Sequence, residues 1–225
     1  MVVRLMFTDP ESAADALTFA GRVARLGEDA VRLQAQDGVL VMTAAALFPR
    51  GLGDATPTVL GVRALAVDPE LVCDIVVSAT ALALAPEDAS AVVLPPTGLA
   101  PAWAGVAPPR SGWHAAPGLD AARVAEKAHG GMARVARAVP ADAGDDAVRA
   151  VRSAVWGEPD DELGGVPVGV TFAAVTLGFV HGAEQVRVFG SGRWTRLSFR
   201  RGHVLTRGPV ASGLSPVRTT GTAGP

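Results

Sequence analysis

The stretch VRLQAQDGVLVMTAA, residues 31–45, carries the clearest folding signal in the sequence. Two apolar runs, residues 31–35 and 39–45, are separated by the pair Asp37 and Gly38. An Asp-Gly pair between apolar runs is typical of a two-residue hairpin turn, because both central residues of that turn need a positive φ. The sequence therefore predicts a β-hairpin over this stretch.

A helix is predicted immediately before the hairpin. Asp9 followed by Pro10 is a helix-start signal, because aspartate caps the first free N–H groups and proline fits the first helical position. Between residues 13 and 26, apolar residues recur at three- and four-residue spacing and form one stripe. Gly27 fits the residue that ends a helix in the left-handed conformation.

The first 94 residues are thus predicted to form a mixed β-α-β-β domain, residues 1–94. Short apolar runs at residues 2–7, 59–67 and 91–94 are typical of buried strands. The run 71–84 fits either a helix or a strand, because its apolar spacing is helical but its centre is β-branched.

A proline-rich connector is predicted over residues 95–118, which hold six of the chain's 17 prolines. Proline fixes φ and lacks an N–H donor, so we expect this segment to be extended and not paired in a sheet. It also contains Trp103 and Trp113, which we predict to be buried against a domain surface. The alternative is that the segment is a ligand for a groove on a partner protein.

Three helices are predicted after the connector. Gly130 and Gly131 lie in the first helix and should weaken or kink it, since each glycine costs about 1 kcal/mol relative to alanine. Asp145 or Asp146 is predicted to cap the second helix. The segment 167–180 is apolar on every side and, with fewer than the ~20 residues of a bilayer span, is predicted to be a buried central helix.

The helices and a terminal hairpin make up a second unit, residues 119–207. The strand-like runs 185–189 and 193–199 flank the residues 190–192, which we interpret as a three-residue hairpin loop. Residues 208–225 show no periodicity and are predicted to be a flexible tail. The predicted fold class is α+β: an N-terminal β-α-β-β domain joined to a C-terminal three-helix plus β-hairpin unit.

Composition places the chain among globular proteins. It has 225 residues, 49% of them hydrophobic, which is enough for a buried core. The single cysteine, Cys73, cannot form an internal disulfide, and no apolar run reaches the ~20 residues of a bilayer span. With no apolar leader at its start, the chain is predicted to be cytoplasmic and not to bind membranes. The ratio of 19 arginines to one lysine, with 42 alanines, indicates a GC-rich bacterial genome.

Motifs for cofactors, metals and catalysis are missing. There is no glycine-rich phosphate loop and no nucleophile elbow, so no cofactor is predicted. Glu126 and His129 are one helical turn apart but lack the second copy that a metal-binding bundle needs, so no metal is predicted. We interpret Cys73 as a core residue. Whether the protein is an enzyme stays open, and these absences favour a non-catalytic role.

Charge is distributed unevenly along the chain. Residues 1–118 carry 7 basic and 12 acidic residues, and residues 119–184 carry 6 and 10. Beyond Glu184 there are seven arginines and no acidic residue. Such asymmetry indicates either an anionic partner or packing of the basic end on the chain's own carboxylates. The candidate binding residues of the terminal hairpin are Arg187, Arg193, Trp194, Arg196, Arg200, Arg201, His203 and Arg207.

Three functions follow from these observations. A non-catalytic interaction or assembly module, binding a protein partner or itself as a homo-oligomer, is favoured because catalytic motifs are absent. The alternative is binding of nucleic acid or another polyanion by the arginine-rich hairpin, through backbone phosphates and with aromatic residues available to stack on bases. The third hypothesis is an enzyme whose site carries no sequence signal.

Overall fold

The computed structural model describes residues 4–51 and 53–208, which form helices and antiparallel strands. Helices make up 32% of the chain and strands 36%, so the predicted α+β class is confirmed. The helices are α1 (Pro10–Val23), α2 (Ala121–Ala138), α3 (Asp145–Gly157) and α4 (Gly169–Thr176). The strands are β1 (Arg4–Met6), β2 (Val31–Gln36), β3 (Val39–Leu47), β4 (Thr58–Ala66), β5 (Cys73–Val77), β6 (Ala83–Ala85), β7 (Asp88–Val93), β8 (His114–Asp120), β9 (Pro159–Asp160), β10 (Val166–Pro167), β11 (Gln185–Ser191), β12 (Trp194–Phe199) and β13 (Gly202–Arg207).

The local signals around the first helix and hairpin are confirmed. The Asp9 carboxylate accepts a hydrogen bond from the backbone N–H of Ser12 at 2.7 Å, capping α1. Gly27 ends the short 3₁₀ turn after α1 with φ of 100°. Asp37 and Gly38 have φ of 52° and 78°, the positive values that the two-residue turn between β2 and β3 requires.

One eight-stranded antiparallel sheet joins the two halves of the chain, in the order β5-β2-β3-β4-β13-β12-β11-β8. The junction is the pair β4 and β13, in which Val59 faces Thr206 and Leu60 faces Leu205. The ambiguous run 71–84 contributes β5 to one edge of this sheet and β6 to a separate three-stranded sheet, β1-β7-β6.

The helices cover one face of the large sheet, here called the inner face. Alternate strand residues point to this face and join helix residues in a single core, which contains residues from both halves of the chain. The predicted central helix is α4, shorter than expected at eight residues, and Ala173 and Ala174 in it are fully buried. In the described part of the chain no helix combines the length and apolarity that a bilayer span requires.

The opposite, outer face is covered by residues 95–113, here called the covering segment. Trp103 is 2% exposed and packs there with Leu60, Trp194 and Leu205, as predicted for a pinned tryptophan. Trp113 is only half-buried. The outer face is therefore a second, smaller core, separate from the helical side.

The expectation that the connector is unpaired throughout is wrong for its last residues. Residues 114–118 belong to β8, an edge strand paired with β11. Pro117 has no partner residue, because it falls at the irregularity in the register between Val186 and Val188. An edge strand tolerates proline because one of its sides has no partner strand.

Two further expectations need correction. The hairpin between β11 and β12 turns in two residues, since Ser191 pairs with Trp194 and Gly192 takes a φ of 56°. Helix α3 begins after Gly144, and Asp145 lies in its first turn instead of at the cap. The predicted tail, residues 208–225, lies outside the described residues apart from Gly208.

Gly131 is a packing residue between α2 and α3, whereas the sequence predicted only that it would weaken or kink the helix. A Cβ at Gly131 would overlap the indole ring of Trp156, so the glycine is what lets α2 and α3 approach each other. Gly130 has open space around it.

Lys127 connects α2 to the segment that follows α3. Its Nζ lies 2.7 Å from carboxylate oxygens of both Asp160 and Glu162.

Candidate functional site

Strand alternation divides the predicted hairpin residues between the two faces of the sheet. Val188, Leu197 and Val204 point to the helical core, so their neighbours along each strand point to the outer face. Cross-strand pairing then arranges the outer-face side chains in three rows. The rows are Arg187-Ser198-His203, Phe189-Arg196-Leu205 and Ser191-Trp194-Arg207.

Four of the eight predicted residues therefore form one surface, here called the basic face: Arg187, Arg196, His203 and Arg207. Trp194 shares this side of the sheet but is buried. Arg193 lies in the β11–β12 turn and donates from Nη2 to the carbonyl of Gly208, just after Arg207.

Arg200 and Arg201 are not part of the basic face. They form the turn between β12 and β13, at the end of β12 opposite to Arg193. The carbonyl of Arg201 accepts a hydrogen bond from Arg63 on β4. The structure therefore does not bring all eight predicted residues together.

Arg196 is enclosed at the centre of the basic face. Its guanidinium carbon lies 4.7 Å from the ring centroids of both Trp113 and Phe189, in two cation–π contacts. Its Nε is buried without a hydrogen-bond partner in the described residues. Arg196 thus ties the covering segment to the sheet.

The aromatic residues are already occupied by this packing. Trp194 is 7% exposed, and Phe189 and Trp113 contact Arg196 on its two sides. The interleaved aromatics that favoured base stacking in the sequence are therefore part of the protein's own packing. What stays open to a ligand is the set of guanidinium groups around them.

The pKa of His203 is set by its burial and by the arginines near it. It lies below the ordinary value of 6.5, first because the imidazole is buried and then because the positive charges of Arg196 and Arg187 disfavour its protonated form. Its Nδ1 is buried with no hydrogen-bond partner in the described residues. Arg196 and Arg187 therefore lie close enough to His203 for their charges to disfavour its protonation.

Most of the C-terminal arginines have no carboxylate partner. Within the described part of the chain, Arg187, Arg193, Arg196 and Arg207 form no ion pair with a carboxylate. Arg200 lies 3.9 Å from Glu184 with 87% of its side chain exposed, a geometry that contributes little. The described basic end is thus not neutralised by the acidic remainder of the chain.

Sequence reasoning missed one residue that contacts this surface, Trp113, and an exposed arginine of the same stretch of chain, Arg110. Trp113 covers Arg196, and its indole Nε1 donates to the carbonyl of Pro109 at 3.1 Å. Arg110 is exposed and has no ion pair among the described residues. Both belong to a segment counted with the acidic half, and no local spacing indicates that it crosses the sheet beside the hairpin.

The described residues contain no group of three or more His, Cys, Asp or Glu side chains that could hold a metal ion. Cys73 is half-buried, and burial raises the pKa of its thiol. A thiol held protonated is a poor nucleophile. The guanidinium groups of this arrangement can bind anions.

Two domain families match the chain. Residues 1–105 match the model of a domain of unknown function, DUF8010. Residues 108–211 match the model of a second domain of unknown function, DUF8185. The boundary between the two matches falls inside the covering segment. None of the curated proteins matches the sequence.

Among solved structures, similar chains include DNA polymerase sliding clamps from two bacteria and a DNA polymerase III beta subunit from a third. The clamp from Caulobacter crescentus is 13% identical, with a TM-score of 0.48, and the match covers 98% of this chain and 69% of that one. The clamp from Bartonella birtlesii is 13% identical, with a TM-score of 0.46, covering 96% and 67%. The polymerase III beta subunit from Thermotoga maritima is 12% identical, with a TM-score of 0.43, covering 98% and 68%.

Proposed function

We propose that this protein is a non-catalytic interaction module that binds nucleic acid. The basic face and the adjoining Arg193 would contact the backbone phosphates of the nucleic acid. The observation that carries the proposal is the absence of any carboxylate partner for Arg187, Arg193 and Arg207 among the described residues. Arg187 and Arg193 are exposed and Arg207 is half-buried. Arginines without internal carboxylate partners are free to pair with phosphate oxygens, to which a guanidinium can donate two hydrogen bonds at once.

The rows of the sheet set the spacing of the phosphate contacts. Arg187 lies in the first row, Arg196 in the second and Arg207 in the third, so neighbouring rows are about 7 Å apart along the strands. Arg196 is enclosed and contributes its charge at a distance. Direct phosphate contacts are expected from Arg187, Arg207 and Arg193, each of which keeps free donors.

The same geometry supports binding with little sequence preference. Base readout needs polar side chains in a groove or aromatic faces for stacking, and the aromatics here are packed against Arg196. Contacts to phosphate position a protein on nucleic acid without reading the sequence. Affinity should therefore depend on salt far more than on base composition.

The salt dependence of duplex DNA binding tests the proposal. Each phosphate contact contributes about −0.9 to the slope of log affinity against log salt, so three arginines predict a slope of about −3. The variant Arg187→Gln/Arg207→Gln should lower the magnitude of that slope by about 2, by the same count of contacts. Fluorescence anisotropy of a labelled duplex, titrated between low and physiological salt, measures both.

The matched control is Arg25→Gln/Arg137→Gln, which removes the same charge from exposed positions on the helical side. It should keep a slope near −3, by the same counting of contacts. Equal losses in the two double variants would show that net charge alone causes binding. Absence of binding at tens of micromolar protein in low salt would refute nucleic acid as the partner.

A further inference from the structure

A polar cavity of about 280 Å³ lies on the helical side of the molecule, away from the basic face. It opens between α1, the chain that follows α4, and the β12–β13 turn. Three arginines from three different elements line it: Arg22 of α1, Arg63 of β4 and Arg201 of the turn. The acidic residue in its wall is Asp15.

The cavity has an excess of positive charge. Arg63 forms an ion pair with Asp15 and also donates to the carbonyl of Arg201. Neither Arg22 nor Arg201 forms an ion pair with a described carboxylate. The formal charge of the three guanidinium groups and one carboxylate is +2, in a partly open cavity where Arg22 and Arg63 are half-buried and Arg201 is exposed.

The donors are held in place by the backbone around them. Arg22 donates from Nη1 to the carbonyl of Leu177 at 3.0 Å, which leaves its other N–H groups unassigned. Its guanidinium lies against Gly178, where a Cβ would overlap it and where φ is +70°. The backbone conformation at position 178 favours glycine, and the absence of a side chain there leaves room for the guanidinium of Arg22 at the cavity wall.

The side chain of Arg201 makes no hydrogen bond or ion pair within the described residues. Only its carbonyl is engaged, and that bond holds the turn beside Arg63. Arg201 therefore brings five unused N–H donors to a cavity whose other arginines are already oriented.

We propose that this cavity binds one phosphate-type oxyanion. A phosphate carries close to two negative charges near neutral pH, which matches the excess charge of the wall, whereas a carboxylate supplies one. The volume lies below the range of about 300–1,000 Å³ that is typical of sites for drug-sized ligands, so the ligand is a small ion. This site shares no residue with the basic face and is independent of the function proposed above.

Binding of inorganic phosphate to the whole protein tests the site. We expect phosphate to raise the midpoint of thermal unfolding relative to sodium chloride at equal ionic strength, and isothermal titration calorimetry to give a single site. Acetate at the same ionic strength should bind at least about tenfold more weakly, as expected for one negative charge fewer.

A matched pair of variants in one turn locates the ligand. Arg201→Gln should weaken phosphate binding about tenfold, the effect of losing a charge-assisted hydrogen bond. Arg200→Gln changes the neighbouring residue, which does not line the cavity, and should keep the wild-type affinity. Arg22→Gln, checked for native circular dichroism because its Nη1 also supports Leu177, should weaken binding as well.

Three results would overturn the proposal: no stabilisation specific to phosphate, equal phosphate affinity of Arg201→Gln and Arg200→Gln, or acetate bound as tightly as phosphate. The variant Arg187→Gln/Arg207→Gln should keep full phosphate affinity. The duplex binding of that double variant tests the basic face, and the phosphate binding of Arg201→Gln tests the cavity. Either proposal can therefore fail without the other.

Discussion

At the scale of single residues, His203 shows how burial and charge act on one side chain. Its imidazole is largely buried on the outer face of the sheet, and the positive charges of Arg196 and Arg187 are close by. Both influences lower its pKa in the folded protein, burial more than charge.

This depressed pKa predicts a pH dependence of stability. In the unfolded chain His203 takes up a proton as the pH falls below about 6.5, while the folded protein resists protonation. The contribution of His203 to the free energy of unfolding is therefore complete above pH 6.5 and is lost as the pH falls toward its folded pKa. Urea unfolding at pH 7.5, 6.5 and 5.5 should show a steeper loss in the wild type than in His203→Gln; parallel curves would contradict the assignment.

The basic face could be predicted only in part from the sequence. The arginines of the hairpin are visible in the sequence, and alternation along β12 correctly separates Arg196 from Leu197. That Arg196 is enclosed depends on Trp113, 83 positions earlier in the chain, which no local pattern connects to it. The charge of the candidate residues could be predicted, whereas their accessibility could not.

At the scale of elements, the packing of α2 against α3 depends on one of two adjacent glycines. Helix propensity assigns Gly130 and Gly131 the same cost, so the sequence gives no reason to distinguish them. The indole of Trp156 occupies the position of a side chain at Gly131 and leaves Gly130 free.

The two glycines should therefore respond oppositely to alanine. Gly131→Ala should destabilise the protein by about 1–3 kcal/mol, because overpacking forces α2 and α3 apart. Gly130→Ala should stabilise it by up to about 1 kcal/mol through helix propensity and reduced freedom of the unfolded chain. Midpoints of urea unfolding at constant m measure both changes. If both alanine variants were more stable than the wild type, the packing of Trp156 would not require glycine at position 131.

Elements with short-range signals were predictable and those defined by partners were not. The β2–β3 hairpin follows from Asp37 and Gly38, because the turn conformation is decided within four residues. Strand β8 was assigned to the connector because Pro117 disfavours strand pairing, yet an edge position with an irregular register accommodates it. Long-range pairing decided that outcome.

At the scale of the whole molecule, the β4–β13 junction makes the two family-matched halves one structure. The pairing runs over five residues, and the inner core takes residues from both halves. The domain boundaries at residues 94, 118 and 207 and the expected self-association remain predictions.

A shared sheet and core predict a single cooperative unfolding transition. Separating the halves would remove one of the two partner strands from each of β4 and β13 and would expose α4, which has no charged residue. In the variant Trp156→Phe, tryptophan fluorescence reports on the three remaining tryptophans, Trp103, Trp113 and Trp194. This fluorescence should change at the same urea concentration as the far-ultraviolet circular dichroism signal. Two separated transitions would show that the halves are independent folding units.

Lys127 has a practical consequence for solution studies. It is the chain's one lysine, and its ammonium group is held between Asp160 and Glu162, whose hydrogen bonds raise its pKa. Acylating reagents attack the neutral amine, so we expect the contacts with Asp160 and Glu162 to slow the modification of Lys127. Each acetylation of Lys127 adds one known mass increment. The rate of that increase measures how often the contact of Lys127 with Asp160 and Glu162 opens.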